Sequence, residues 1–499
     1  MATPTGSRLL PANDPCGPAH AVTYDVLECT DAGPNPPATK RIPAGWSAFA
    51  LVYGRKLALK PVNAATVPCH RPVWLRLTTA IDDRVLRTIA VSLPSGKSLG
   101  ILDLRYAHAI EMFELELVGD DALAARRDGV VLSLQDDDDP IWFFSSSGGS
   151  DLALPTEYHP HLMSAQDTVD RTSEFHNRFA SLASLQGFGW MEGCILDGLR
   201  GLERFAEDKA RYRQARKSHW SVFAGSGGEL SYESPRSEVF TSSVYGIEGG
   251  LPFADLAFDD PQHPWLAHFA AAMARLRRPD GAIQDAEFLS AEGSYTVAFP
   301  LAALAGAWIS PELAAEALNQ LRIRKARLWH DDALWLRCTD SGERSFRNWA
   351  RAIAWYLLGL MRTLELLRTG PCETSDLETE AVRVAKWALS HQRADGLWSV
   401  YVDDHALAAD NSGSAAIATA LALGARIGLL SPIEADAARH TLASLEQHLT
   451  PDGFLGGTSQ ANRGGEVLQR SDYRVLSQMA MGLKAQLLAE ILALEQTIS

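Results

Sequence analysis

The feature that most constrains the fold is a repeat in the helix-like part of the chain, from about residue 164 onward. Six segments there start with small residues and continue as an apolar stretch, and successive starts lie 47 to 62 residues apart. The segments begin near Trp190, Tyr245, Glu292, Trp349, Asn411 and Tyr473. A regular period of this size is typical of architectures in which each unit buries its apolar face against its neighbours.

Each of the first five segments is followed by a second, amphipathic stretch, and several of these end in a loop with Asp and Gly, as at 279–283, 394–398 and 451–455. A further amphipathic stretch at about 164–187 supplies a sixth outer helix. Six apolar inner helices surrounded by six amphipathic ones predict a mainly α-helical (α/α)6 toroid. A plain helical bundle is the alternative, but bundles do not usually repeat a helix pair with an Asp-Gly turn at this period.

The region before the repeat has a different pattern. From about residue 41 to 147 the apolar runs are short and β-rich, and turn residues separate them at 94–96, 119–121 and 128–129. This pattern predicts an antiparallel β-sandwich. A Ser/Gly-rich stretch at 145–150 is interpreted as a linker and the four aspartates at 136–139 as a solvated turn. We therefore expect an N-terminal β-sandwich domain with an irregular leader and linker at 1–158 and a catalytic toroid at 159–499.

Charge and composition exclude several classes of function. The net charge is −15, from 46 Lys and Arg against 61 Asp and Glu, so the surface repels nucleic-acid phosphates. The six cysteines are scattered without a C-x-x-C pair, which is typical of reduced thiols. No apolar run of signal-peptide or membrane-span length is found, so we expect a soluble, cytoplasmic protein without membrane contact. No phosphate-binding loop or zinc motif is present, and we expect neither a cofactor nor a metal.

The candidate site follows from the toroid, because the N-terminal ends of its inner helices converge on one face and favour anionic ligands. The first turns of the repeats carry aromatic, carboxylate and arginine side chains, which can stack on sugars, transfer protons and bind carboxylates. We expect Glu292 as the catalytic acid and Glu248 as a second carboxylate. The expected substrate-binding residues are Trp190, Tyr245, Tyr295, Trp349, Arg351, Trp355, Asp410 and Ser412.

Each of these residues also has a structural interpretation. Trp190 and Trp355 suit a hydrophobic core, and Glu292 and Asp410 suit helix caps. Arg351 lies between two alanines with tryptophans nearby, which favours either binding of a uronate or orientation of a neighbouring carboxylate. An anionic substrate further requires local positive charge, for which Arg347, Arg463 and Arg470 are additional candidates.

Three motifs, in order along the chain, resemble those of the unsaturated glucuronyl and rhamnogalacturonyl hydrolases, glycoside hydrolase families 88 and 105. The family begins an inner helix with Trp-Gly/Ala-Arg-Gly-Asn-Gly/Ala-Trp, and residues 349–355 keep both tryptophans and the arginine. Its Asp-Gly-Leu-Trp and Glu-Thr-Ser-Ala-Ser-Ala segments correspond to residues 395–398 and 410–415, and its Asp-Gly-x-x-x-Gly-Thr-Ser to residues 452–459. The resemblance covers roughly residues 185–495, and β-glucuronidase family 154 is another candidate relative.

Two departures from the family concern its chemistry. The family's general acid is an Asp at the start of the third inner helix, where this chain has Glu292, and Ile353 replaces the family's Asn. Family members hydrate the C4–C5 double bond of an unsaturated uronic acid. The longer carboxylate side chain and the lost Asn extend the expected substrates to saturated uronosides cleaved by two carboxylates. The N-terminal region is absent from typical members, and it is expected either to shape the pocket or to hold a homo-oligomer together.

The resemblance and the residues together predict a glycosidase that removes a terminal uronic acid, saturated or 4,5-unsaturated, from an oligosaccharide. Two alternatives stay open at this point. A polysaccharide lyase would use Tyr295 or Tyr473 to abstract a proton, whereas a sugar epimerase would need histidines that here lie mostly on outer helices or loops. A toroid that has lost catalysis would be a carbohydrate-binding protein.

Overall fold

The computed structural model describes residues 22–29, 31–37, 40, 42–43, 45–63, 71–136, 139–145, 154–224, 230, 245–284 and 287–498. Most of the predicted linker at 145–150 lies outside these residues, as do two of the four aspartates at 136–139. Within the described residues no helix is long and apolar enough to cross a membrane.

The N-terminal region is built from antiparallel strands. Its elements are β1 (Val22–Cys29), β2 (Ala48–Leu51), β3 (Lys56–Pro61), β4 (Val73–Thr78), β5 (Asp83–Ser92), β6 (Ser98–Ala107), β7 (Met112–Leu117), helix α1 (Gly119–Asp128), β8 (Val130–Leu134), β9 (Ile141–Phe144) and β10 (His161–Ala165). Eight strands form one sheet in the order β6-β5-β8-β3-β1-β10-β4-β7, and β2 pairs with β9. The antiparallel β-rich region expected from the sequence is therefore present. Its last strand, β10, lies just beyond the expected boundary at residue 158.

Strand β1 connects two groups of strands in this sheet. Its first half, 22–26, pairs with β10, and its second half, 27–29, pairs with β3. Side chains alternate along strands such as β8, in which Val130, Leu132 and Leu134 are buried and the residues between them are half-buried. The buried side chains of both groups meet in one apolar cluster. Alternation of this kind is what a strand with one face on a core requires.

The rest of the described chain is mainly helical. Its elements are α2 (Arg171–Phe179), α3 (Trp190–Phe205), α4 (Lys209–Phe223), α5 (Leu251–Asp259), α6 (Pro264–Leu276), β11 (Phe288–Ser290), α7 (Phe299–Trp308), α8 (Pro311–Leu328), β12 (Trp329–His330), β13 (Ala333–Thr339), β14 (Arg344–Arg347), α9 (Ala350–Leu367), α10 (Ser375–Leu389), α11 (Asn411–Arg426), α12 (Pro432–Glu446), β15 (Thr458–Ser459), α13 (Gly465–Arg470), β16 (Arg474–Val475) and α14 (Gln478–Ile498).

Among these described helices, α3, α5, α7, α9, α11 and α14 contact one another in that order, and α14 returns to α3 to close a ring. The helices α2, α4, α6, α8, α10 and α12 alternate with them along the chain. This confirms the (α/α)6 toroid. Helix α5 begins at Leu251 rather than near Tyr245, because Pro252 suits the first turn of a helix, where its missing N–H is not needed.

The inner helices are buried on nearly all faces, as a central ring requires. Helix α11 is buried from Asn411 to Gly424, and its many Ala, Gly and Ser residues let α9 and α14 approach closely. The outer helices show the amphipathic pattern, and α12 begins with a capping box in which Ser431 and Glu434 bond reciprocally to each other's backbone.

The sheet packs against the end of the toroid at which the inner helices begin. Three side chains of the loops that lead into α14 bond to the sheet region: Asp452 accepts from Tyr24, Gln460 donates to Glu111 at 2.7 Å, and the Tyr473 hydroxyl donates to the carbonyl oxygen of Asp103. The sheet therefore borders the face on which the sequence places the active site.

Candidate active site

One cavity of about 240 Å³ lies between the sheet and the starts of the inner helices. Both expected carboxylates, Glu292 and Glu248, line it, together with Trp190, Trp349, Trp355 and Arg351 from the expected binding residues. The remaining lining residues are Arg84, Tyr106, His108, Arg337, Ala461, Asn462 and Arg463. The toroid thus brings together six of the ten residues expected from the sequence, from positions between 190 and 355.

Glu292 is held at the pocket by the segment around it. It follows β11 and precedes a π-helical turn, Ser294–Ala298, that leads into α7. The buried Arg324 donates to the carbonyl oxygen of Ser290 at 3.0 Å, and a Cβ on Gly293 would lie 1.9 Å from the same guanidinium. A Cβ on Gly359 of α9 would lie 2.2 Å from the carbonyl carbon of Ser294. Two glycines therefore allow the close packing that fixes the backbone of Glu292.

The electrostatic surroundings of Glu292 suit a general acid. Burial raises the pKa of Glu292, the charges of Arg337 and Arg351 oppose that rise, and the charge of Glu248 adds to it. Asn462 donates to Glu292 Oε1 at 3.3 Å and accepts from Arg337 Nη2 at 3.0 Å. A raised pKa favours the protonated carboxyl, and a positioned protonated carboxyl can donate to a leaving oxygen.

Trp190 and Trp355 form a connected aromatic wall with Tyr295, and Trp349 lines the same cavity. Trp190 meets Trp355 edge to face with ring centroids 5.8 Å apart, and Trp355 stacks on Tyr295 at 6.0 Å. The indole N–H of Trp349 donates to Gln469, so that ring has a fixed orientation. Trp355 and Trp349 are almost fully buried while lining the cavity, which gives them both a core role and a place at the site.

Arg351 is held mainly by protein groups. Its Nη2 donates to the carbonyl oxygen of Ser459 at 3.0 Å, to the Ser459 hydroxyl at 3.2 Å and to the carbonyl oxygen of Gln460. Its guanidinium lies over the ring of Trp349, and its Nε is 3.7 Å from Asp410 Oδ2. These contacts hold Arg351 against the loop at residues 459–460, while uronate binding and orientation of a carboxylate both stay predictions for this residue.

Four expected site residues lie outside the lining of the cavity. Asp410 is the N-cap of α11 and accepts from the backbone N–H groups of Ser412, Gly413 and Ser459, and from the Ser412 hydroxyl at 2.8 Å. Both side chains are fully buried. Asp410 faces Arg351, which lines the cavity, and Ser412 is bonded to Asp410. Asp410 and Ser412 therefore lie behind the lining residue Arg351.

The two tyrosines lie elsewhere in the toroid. The hydroxyl of the fully buried Tyr295 donates to Asp197 at 2.5 Å, behind Trp355. The ring of Tyr245 stacks on Phe253 at 5.5 Å and contacts His268. Neither tyrosine is among the residues that line the cavity.

The structure adds residues that sequence reasoning missed. The sheet region contributes Arg84, Tyr106 and His108, while the toroid contributes Arg337 and Asn462. Tyr106 is marked only in the structure itself, where its positive φ of 56° is uncommon for a residue other than glycine. No pattern in the sequence connects the sheet region to the repeat starts, so those residues depend on tertiary packing.

Only some of the additional charged and titratable residues line the cavity in the described part of the chain. Arg463 lines the cavity, whereas Arg347 pairs with Asp403 and Arg470 pairs with Asp404 away from the lining. His108, which follows strand β6 of the sheet region, is the histidine among the lining residues. Tyr473, the other candidate base of a lyase, bonds instead to the backbone of Asp103 and Arg105.

The three motifs at residues 349–459 lie within a part of the chain that matches a known sequence family. Residues 298–495 match Glycosyl Hydrolase Family 88. The family resemblance of the motifs is thereby confirmed. "Protein Atu3128" of Agrobacterium fabrum and "24.9 kDa protein in picA locus" of Rhizobium radiobacter are each 32% identical over 152 residues, or 27% of this chain. The chain spans 65% of the length of these curated relatives.

Solved structures share the fold. A possible member of the GH105 family from Salmonella enterica is similar with a TM-score of 0.54 and 19% identity, over 66% of this chain and 85% of that one. An unsaturated glucuronyl hydrolase specific for heparin is similar with a TM-score of 0.51 and 15% identity, over 65% of this chain and 98% of that one. At this level of identity the similarity is one of fold.

Proposed function

We propose that this protein is a glycoside hydrolase that removes a terminal uronic acid from an oligosaccharide. The observation that carries the proposal is the pairing of Glu292 and Glu248 in one cavity lined by tryptophans and arginines. The family matched by residues 298–495 and the heparin-specific enzyme of similar fold support the same chemistry.

The roles of the two carboxyl groups follow from their surroundings. Glu292, with its raised pKa, donates a proton to the oxygen that leaves the anomeric carbon. Glu248 accepts a proton from the water that attacks the anomeric carbon, so the glycosidic C–O bond breaks and the water supplies the new hydroxyl. With a 4,5-unsaturated uronic acid the same proton from Glu292 would instead add to the double bond, and water would add to the neighbouring carbon.

The remaining residues supply binding and charge. Trp190, Trp349 and Trp355 offer apolar faces for a sugar ring. The cavity holds Arg84, Arg337, Arg351 and Arg463 against two glutamates, so it is locally positive in a chain of net charge −15. Tyr295 supports this wall by stacking behind Trp355, and Asp410, which binds the Ser412 hydroxyl, faces Arg351. Tyr245 packs on Phe253 instead, and we assign none of these four residues a direct substrate contact.

The domain organisation is part of the proposal. In this proposal the described strands from Val22 to Ala165 belong to an antiparallel β-sandwich domain that covers one side of the pocket, and the helices from Arg171 onward belong to the catalytic toroid domain. Cys29, Cys194, Cys338 and Cys372 are unpaired among the described residues, which suits a protein of the reducing cytoplasm.

A substrate panel tests the activity. Purified protein is incubated with aryl β-glucuronide, aryl β-galacturonide, aryl β-glucoside and an unsaturated uronic disaccharide, and products are followed by chromatography. We expect cleavage of at least one uronoside and a loss of about 10²–10⁴-fold in the Glu292→Gln variant. The exposed Glu343→Gln is the matched control and should leave activity unchanged.

Three results would contradict the proposal. A Glu292→Gln protein with near wild-type turnover would remove that residue from the mechanism. Growth of the ultraviolet band of a conjugated uronate during polyuronate digestion would establish a lyase. Binding of uronic-acid oligosaccharides without any product after long incubation would instead indicate a carbohydrate-binding protein.

A further inference from the structure

The sheet region contributes a wall of the cavity for which the proposed function has no assigned role. Arg84 is the second residue of β5, Tyr106 is near the end of β6, and His108 follows that strand. All three line the cavity opposite residues of the toroid. A domain that only covered the toroid would have no need of an arginine at this position.

Arg84 is anchored at one side of its guanidinium. Its Nε donates to Asp82 Oδ2 at 2.5 Å, and Lys40 Nζ donates to Asp82 Oδ1 at 3.0 Å and to the Asp82 carbonyl oxygen at 2.7 Å. The side chain of Asp82 is only 8% exposed, so this anchor is firm. Among the described residues neither terminal nitrogen of Arg84 has a protein partner, and together they form a free pair of donors.

Two other arginines of the cavity already use one of their two terminal nitrogens for protein groups. Nη2 of Arg351 is used by Ser459 and Gln460, and Arg337 donates to Asn462 while its guanidinium lies 4.5 Å from the centroid of the Phe288 ring. Two parallel N–H groups on one guanidinium match the two oxygens of a carboxylate. Arg84 has this pair available.

The loop beside Arg84 is held in one conformation. Thr79 Oγ1 donates to the His108 carbonyl oxygen at 2.6 Å, the His108 N–H donates to Glu111, and Gln186 from the toroid donates to the Ile110 carbonyl oxygen at 2.9 Å. Tyr106 and Ile110 both adopt positive φ, at 56° and 61°. Non-glycine residues hold such angles only where the surroundings fix them.

His108 completes this wall as a neutral group. Burial and then the charge of Arg84 lower the pKa of His108 to about 4. Its Nε2 is buried and has no hydrogen-bond partner among the described residues. A neutral imidazole nitrogen beside a guanidinium can bond a sugar hydroxyl next to a carboxylate.

We infer that Arg84, a residue of the N-terminal sheet, binds the carboxylate of the substrate's uronic acid and so determines specificity for uronosides over neutral glycosides. The inference rests on the proposed function. It makes the sheet region part of the substrate site, and it gives Asp82 the role of a positioning residue that aims the guanidinium.

The test compares charged and neutral versions of one substrate. KM and kcat are measured for an aryl β-glucuronide and the matching aryl β-glucoside with wild type, Arg84→Gln, Arg84→Lys and Asp82→Asn. Arg84→Gln should raise KM for the uronoside at least tenfold and change KM for the glucoside less than twofold. Arg84→Lys should raise KM for the uronoside by an intermediate factor, because lysine keeps the charge but lacks the pair of parallel N–H donors. Asp82→Asn should raise it by a smaller factor, because the charged acceptor that anchors Arg84 Nε is lost. Arg55→Gln, which breaks an exposed pair with Asp31 in the same sheet region, is the matched control.

A second measurement does not depend on catalysis. Isothermal titration with free D-glucuronate should show binding to wild type and at least tenfold weaker binding to Arg84→Gln, with thermal unfolding confirming that the variant is folded. If Arg84→Gln is unstable, the comparison uses Arg84→Lys.

The outcomes separate this inference from the proposed function. Equal effects of Arg84→Gln on both substrates, or unchanged D-glucuronate binding, would overturn the role of Arg84. A loss confined to uronosides in Arg463→Gln would assign the carboxylate to that residue instead. A wild type that cleaves no glycoside would contradict the proposed function, while the titration would still decide the role of Arg84.

Discussion

Arg76 and Asp452 form a fully buried ion pair that joins the sheet to the toroid, with 2.5 Å between Arg76 Nη1 and Asp452 Oδ2. Tyr24 of β1 donates to the same carboxylate oxygen at 2.8 Å. Asp452 belongs to one of the Asp-Gly loops that the repeat predicts. That loop therefore contacts the sheet region as well as closing its own helical hairpin.

The first prediction concerns this pair and acid stability. Burial would raise the pKa of Asp452, but the charge of Arg76 and hydrogen bonds from Arg76, Thr450 and Tyr24 outweigh it and hold the pKa at about 2. Asp452→Asn should lower the free energy of unfolding at pH 7 by about 3 kcal/mol, because Arg76 loses its buried partner. Urea unfolding measures this loss.

The pH dependence of that loss has a definite sign. A depressed carboxyl pKa stabilises the folded state above the unfolded pKa, and this stability disappears as pH falls towards the folded pKa. The difference between wild type and Asp452→Asn should be full above about pH 4 and should shrink towards pH 2. Asp128→Asn, in an exposed pair with Arg127, is the control and should show no such difference. A constant difference across this range would contradict the ion-pair explanation.

The second prediction concerns the coupling of Glu248 to Glu292. An acid catalyst must be protonated, so activity falls as pH rises through the pKa of Glu292. Burial raises that pKa, and the charge of Glu248 raises it further. In Glu248→Gln the basic limb of residual activity should therefore move to lower pH, as measured by kcat/KM profiles.

Arg337→Gln should shift the basic limb in the direction opposite to that of Glu248→Gln. The charge of Arg337 lowers the pKa of Glu292, so its removal should move the basic limb to higher pH. Movement of both variants in the same direction would show that the limb reports a group other than Glu292.

The third prediction concerns Arg351→Lys. Lysine keeps the charge but cannot reproduce the contacts of Nη2 with Ser459 and Gln460. We expect kcat/KM to fall by a similar factor for an aryl glucuronide and an aryl glucoside, with a loss of stability of about 1–3 kcal/mol. A loss confined to the glucuronide would mean that Arg351 itself binds the uronate.

The fourth prediction separates a glycosidase from a lyase that uses Tyr295. The Tyr295 hydroxyl is fully buried and donates to Asp197, so Tyr295→Phe should lower stability by about 2 kcal/mol and keep most of the activity. Tyr356→Phe, another buried tyrosine bonded to a carboxylate, Glu380, should behave alike. Abolished turnover in Tyr295→Phe with intact Tyr356→Phe would support the lyase.

The repeat itself could be predicted from the sequence because the pattern of an inner helix is local. An inner helix of a ring, such as residues 411–424, needs small and apolar residues on every face. The sequence alone therefore identifies it as an inner helix. The same reasoning predicts Glu292 as a site residue. The start of an inner helix can be recognised locally, and in a toroid all of these starts lie on one face. Trp190, Trp349 and Trp355 were found in this way as well.

Only the tertiary structure decided which side chains share the pocket and which atoms they use. Asp410 and Arg351 were both visible in the motifs, yet the acceptors that hold Arg351 come from Ser459 and Gln460, more than a hundred residues away. Arg84 and His108 belong to a sheet whose pattern predicts strands and turns but contains no information about the surface it covers. Sequence periodicity records which face of an element is buried, whereas the contact between two domains depends on side chains that no shared period connects.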